Sequence, residues 1–154
     1  MKFLCDEMLG RLAKWLRIMG YDVLYLKNME DEKIVEKAIK EDRILITRDK
    51  KLAKKFKNSL YIEEKDINEQ IKKVVEKLKI RIDEENFLSR CTICNIEIEK
   101  IEKEKVKGKV PDNVFENMSE FWICKKCGRI YWAGTHWKNM KEKIEEIGKI
   151  ESAI

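Results

Sequence analysis

No run of about 18 apolar residues occurs anywhere in the 154-residue chain, so a membrane-spanning helix is excluded. The opening residues hold no apolar stretch of the signal-peptide kind, because Asp6 and Glu7 interrupt it. A soluble, cytoplasmic protein is therefore expected. An excess of one charge is also lacking: 34 Lys and Arg stand against 29 Asp and Glu, a net +5. That balance is compatible with a nucleic-acid partner without demanding one. Cysteines number only five, and in a reducing compartment they are not disulfide halves by default. Proline and histidine occur once each, as Pro111 and His136. What is abundant is apolar sequence, at 44%. This is enough for a real core, in a length that suits one domain plus a small module.

Periodicity divides the chain in two. Short apolar runs rich in Val, Ile, Leu, Phe and Tyr at 2–5, 22–26, 43–47 and 59–62 read as strands. Between them lie helical stripes: Met8, Leu9, Leu12, Trp15, Leu16 and Met19, stopped by Gly20; then Ile34, Val35, Ala38 and Ile39. A short turn at "KKLAKKF" follows, and then Ile67, Ile71, Val74, Val75 and Leu78. This alternation predicts an α/β domain with right-handed crossovers and a parallel sheet covered on both faces. Its functional crevice is expected outside the carboxyl ends of the strands. The alternation stops near residue 88, which predicts one domain over 1–88 and a second module over 89–154. A helix at "KEKIEEIGKI" puts Ile144, Ile147 and Ile150 on one face, to cover the core or meet a partner.

Cys91-x-x-Cys94 and Cys124-x-x-Cys127 form two matched pairs. Each pair offers two thiolates from one tight turn, and two such turns converging on one ion make a tetrahedral zinc site. Gly128 suits a knuckle that needs an unusual backbone angle. Four thiolates close the coordination shell, so this zinc is expected to be structural. Cys5, alone on a strand, reads as a small core residue.

Carboxylates end the strands. Asp6 closes "KFLCDE" and Asp49 closes "ILITRD", while Asp31 opens the second helix. Each could be a helix cap, but only Asp66 has the glutamate three residues on that a capping box requires, Glu69. In a parallel sheet with a central first strand the three carboxylates can converge. They would then repel one another unless Mg²⁺ or Mn²⁺ neutralised them. Such a metal activates water and steadies an in-line phosphoryl displacement. Arg11, Lys14 and Arg17 on the polar face of the first helix, with Arg48, Lys50, Lys51, Lys54 and Lys55 around Asp49, suit a polyanion crossing this rim. Solvated lysine-rich faces account for them equally well.

"FLCDEMLGRLAKWLRIMGYDV", "DEKIVEKAIKEDRILITRDKKLA", "EQIKKVVEKLKI" and "SRCTICN…FWICKKCGRIYWAGTHW" resemble the Mut7-C ribonuclease family, PIN-like domains joined to a C-terminal zinc ribbon. The resemblance covers the chain from Met1 to about Trp137 and puts the family's metal-binding acids on Asp6, Asp31 and Asp49. It puts the ribbon cysteines on Cys91, Cys94, Cys124 and Cys127. It implies a metal-dependent ribonuclease leaving a 5′-phosphate and a 3′-hydroxyl, a three-layer PIN-like fold and a possible homodimer. Many PIN nucleases use a fourth acid after the fourth strand, for which Glu63, Glu64 and Asp66 stand. In the ribbon, Arg129, Tyr131, Trp132, His136 and Trp137 are placed to stack on or contact unpaired RNA. The competing reading is a non-catalytic RNA-binding adaptor, with the acids as caps. A phosphoacceptor receiver domain would need a fifth strand, where this chain runs into the cysteines.

Overall fold

The computed structural model describes residues 1–152, except for the side chains of 136 and 148–152. Four parallel strands, β1 (Lys2–Cys5), β2 (Asp22–Tyr25), β3 (Ile44–Thr47) and β4 (Ser59–Tyr61), form one sheet in the order β2-β1-β3-β4. They are joined by α1 (Gly10–Ile18), α2 (Asp31–Lys40) and α3 (Lys50–Lys55), and α4 (Ile67–Leu78) follows β4. Alternation along β1 sends Phe3 and Cys5 to one face and Leu4 to the other. The first face packs with α1 and α4 through Leu12, Leu16, Ile71 and Val74. The second packs with α2 and α3 through Ile34, Ala38 and Leu52. Three layers result, helices on both faces of a parallel sheet.

Two residues assigned to the helical stripes are exposed instead. Met8 is 73% exposed because it lies in a 3₁₀ turn, Glu7–Leu9, before α1 takes up α-helical phase. Ile39 is 64% exposed because α2 buries only the row containing Ile34 and Ala38.

The second sheet is antiparallel: β5 (Glu99–Ile101), β6 (Phe121–Ile123) and β7 (Ile130–Tyr131), in that order. A short helix, α5 (Asp112–Asn117), lies in the β5–β6 connection, and Val106, Val110 and Phe121 form a small core. The last helix, α6 (Thr135–Ser152), returns to the first core, where Ile144 and Ile147 are buried. Ile150 is outside the described side chains.

The ribbon is held against the edge of the first sheet. β2 is an edge strand, and its outward N–H and C=O groups need partners. Asn95, just after the first CxxC, supplies one: its Oδ1 accepts from Val23 N at 2.9 Å while its Nδ2 donates to Asp22 at 2.6 Å. Arg17 supplies the other. Its guanidinium donates to Val23 O at 2.7 and 2.9 Å and to Thr92 O at 2.8 Å. The expectation that Arg17 sits on a solvent face of α1 is thereby corrected, since it is buried between α1, β2 and the knuckle. Gly20 completes the joint. Its φ of +99° and the bonds Gly20 N to Arg17 O and Tyr21 N to Leu16 O form a Schellman cap, and a Cβ there would lie 2.5 Å from Asn86 O.

Asn95 has φ +68°, so its side chain and its backbone contribute separately. Asn95→Gly should cost about 1–3 kcal/mol for the lost bonds to Val23 and Asp22. Asn95→Ala should cost about 1 kcal/mol more, for the left-handed backbone. Urea unfolding of zinc-loaded protein checks both, and wild-type stability in both variants would dismiss the joint.

Candidate active site and metal centre

The parallel order brings the carboxyl ends of β1 and β3 side by side, and the start of α2 lies across from them. Asp6, Asp31 and Asp49 line a single pocket there, of about 320 Å³, with Glu7, Met8 and Arg48. Asp6 is the buried member. Its Oδ2 accepts from the Thr47 hydroxyl and from Arg48 N at 3.3 Å. Its Oδ1 is buried with no hydrogen-bond partner. Burial pushes the Asp6 carboxyl above its ordinary range; the Thr47 hydroxyl and the Arg48 and Met8 amides pull it down, and nearby Asp49 adds to the rise.

Asp49 caps α3, its Oδ1 accepting from Lys51 N at 2.9 Å and Leu52 N at 3.2 Å. The absence of a capping-box glutamate thus did not prevent a cap; two amides of the first turn suffice. Asp66 caps α4 as expected, accepting from Glu69 N. Asp31 is not a cap, since Glu30 holds that position. Thr47 is the residue that sequence reasoning missed. It donates to Asp6 and accepts from Asp49 N at 2.9 Å, so one hydroxyl joins the two strand ends. The signal was present in "ILITRD", where the strand's last buried residue carries a hydroxyl.

None of the fourth-acid candidates is among the residues lining the pocket, although Arg48 there donates to Glu63 O at 3.4 Å. Glu64 pairs with Lys73 at 3.0 Å, Asp66 serves α4, and Glu63 is exposed. The further carboxylate lining the pocket is Glu7. Among the basic residues, Arg48 lines the acidic pocket, and Lys51 is exposed beside Asp49. Arg11 is exposed on α1, whereas Lys14 and Arg129 line a separate cavity. The His136 side chain lies outside the described residues.

The four cysteines converge as expected. Among the described residues, Cys91, Cys94, Cys124 and Cys127 are the one group of three or more potential ligands whose atoms all lie within 4.8 Å of one another. The knuckles match in detail. Asn95 N donates to Cys91 O and Gly128 N to Cys124 O, at 2.9 and 2.7 Å. Asn95 and Gly128 (φ +79°) are both left-handed. Cys91 is favoured as thiolate: burial alone would raise its thiol, but donors from Tyr131 and the Cys94 and Ile93 amides outweigh this and bring it to about 6. The Tyr131 hydroxyl lies 3.1 Å from Cys91 Sγ, the outer-shell bond that orients a ligand. Four soft donors in this arrangement fit zinc. Cys5 is fully buried in the core, as expected.

Two predictions follow from these sites. Purified protein should carry about one zinc per chain, and Cys124→Ser should release it; metal analysis finding intact thiols and no zinc would refute the centre. Asp6 has the opposite sign from a salt-bridged acid. Its folded-state carboxyl is raised, so the folded state binds the proton more tightly, and the charged form costs stability once pH rises above the ordinary carboxylate range. Asp6→Asn should therefore raise the melting temperature of protein without added divalent metal at neutral pH, with the gain shrinking toward acid. Melting curves across pH test this, and a uniform loss at every pH contradicts it.

A family model described as Mut7-C RNAse domain matches residues 1–144. No curated protein and no solved structure matches the chain. The family match spans both the strand ends that carry the acids and the two cysteine knuckles, so the chain belongs to the Mut7-C RNAse domain family.

Proposed function

We propose that this protein is a metal-dependent ribonuclease with a PIN-like nuclease unit over 1–88 and a zinc ribbon over 89–154 that assists RNA binding. Asp6, Asp31 and Asp49 would hold Mg²⁺ or Mn²⁺, with Glu7 the further acid at hand. One observation carries the reading: Asp6, whose Oδ1 is buried with no hydrogen-bond partner, lines a pocket together with Asp31 and Asp49. A buried carboxylate oxygen left without a donor is costly, and a hard cation is the partner that oxygen ligands suit. The donor types and the orphaned oxygen suit such a cation. Among the described residues these carboxylates share a pocket without all closing to within ligating distance of one another, so binding would draw Asp31 and Asp49 toward Asp6.

When bound, the cation supplies activation of water and charge neutralisation for an in-line displacement at phosphorus. The chain's own residues do the rest. Thr47 fixes Asp6 and the Asp49 backbone in one frame. Arg48 and Lys51, at the pocket and beside it, attract the phosphodiester and hold its non-bridging oxygens. Arg11, on the exposed face of α1, extends the cationic track. Cleavage then leaves a 5′-phosphate and a 3′-hydroxyl.

Single-stranded RNA should be cut with added Mg²⁺ or Mn²⁺, and Asp49→Asn and Asp6→Asn should each lower the rate by about 100-fold or more while folding is kept. RNA binding without cutting, unaffected by either substitution, would establish the adaptor instead and reduce Asp49 to a helix cap.

A further inference from the structure

We infer that the cavity between α1, the first zinc knuckle and the β7–α6 connection is a nucleotide subsite. It would take one unstacked base of single-stranded RNA, with the flanking phosphates on Lys14 and Arg129. This rests on the ribonuclease reading for the identity of the polymer, and it concerns a place apart from the acids. The cavity measures about 320 Å³ and has Lys14, Ile18, Arg129, Tyr131, Trp132 and Trp137 among its lining. That volume is at the lower end of small-ligand pockets, about 300–1,000 Å³.

Three features favour a base. The aromatic side chains are half-buried and fixed from behind. Trp132 packs edge-on to Phe121 at 6.3 Å, Trp137 packs edge-on to Phe87 at 5.9 Å, and the Tyr131 hydroxyl is held by Cys91 Sγ and Thr92 N. Rings restrained in this way stack on a base at little entropic cost, and stacking tolerates any sequence. The second feature is charge. Among the described residues no carboxylate lines the cavity while Lys14 and Arg129 do, whereas four carboxylates and Arg48 line the acidic pocket. The third is alignment. The acidic pocket includes Glu7 and Met8, just before α1, and the cavity includes Lys14 and Ile18, in the middle and at the end of it. Nine helical residues span about 13 Å, and Arg11 is exposed one turn before Lys14. A strand gripped in the cavity can follow that basic face to the acids, so the ribbon anchors RNA at a set distance from the cut.

The test uses zinc-loaded full-length protein without added Mg²⁺ or Mn²⁺ and a short fluorescein-labelled single-stranded RNA, followed by anisotropy at several salt concentrations. Lys14→Glu and Arg129→Glu should each weaken binding about tenfold and lower the magnitude of the log–log salt slope by about 0.7. Lys107→Glu, an exposed ribbon charge outside the cavity, controls for net charge. Trp132→Leu and Trp137→Leu should weaken binding comparably; the charge reversals keep the test decisive if a tryptophan variant loses zinc or fold. Reversals at Lys14 and Arg129 that act no more strongly than Lys107→Glu overturn the subsite, even if the enzyme cuts RNA and needs Asp49. Loss of binding in both, in a protein that cuts no RNA under any metal, leaves the subsite standing and removes the nuclease instead.

Discussion

A buried carboxylate at the end of an inner strand sets the terms for the rest of this molecule. Asp6 lies where β1 runs out of the sheet, flanked by β2 and β3, and only one of its oxygens is satisfied. Burying an unpaired carboxylate oxygen works against folding. The Thr47 hydroxyl and the Arg48 amide limit that cost at Oδ2, and the residue lines a pocket with Asp31 and Asp49. Parallel strands make the arrangement possible, because they deliver their carboxyl ends to one edge.

The ribbon is part of the same economy of backbone groups. A four-stranded sheet leaves β2 with an open edge, which Asn95 of the first cysteine knuckle closes at Val23 N while Arg17 of α1 takes Val23 O and ties it to Thr92 O. α6 then leaves the ribbon and returns two isoleucines to the first core. The two halves are therefore joined at both ends of the ribbon. The first of the two knuckles that bring the four cysteines together also finishes the edge of the sheet that carries the acids.

The sequence made some of this legible and hid the rest, for physical reasons. Strand positions followed from short apolar runs, and the β1–β4 sheet came out parallel because helices of the right length separate them. The cysteine cluster was legible because CxxC spacing fixes local geometry. Arg17 was read on the solvent side because periodicity says which face of a helix is apolar, not whether a second module covers the other. Thr47 was overlooked because a threonine suits a strand on propensity alone, and its two hydrogen bonds depend on a register between distant segments. Glu7 was not weighed as a pocket acid because an acid next in sequence to Asp6 need not face the same way, and only the turn after β1 shows that it lines the pocket.

The central claim is that the unpartnered oxygen of Asp6 belongs to a divalent-cation site. The most direct measurement is titration of Mn²⁺ into zinc-loaded protein, followed by the paramagnetic resonance signal of free Mn²⁺. The account predicts that wild-type protein removes this signal while Asp6→Asn, folded and zinc-loaded, leaves it largely intact. Equal Mn²⁺ binding by the two proteins would contradict it.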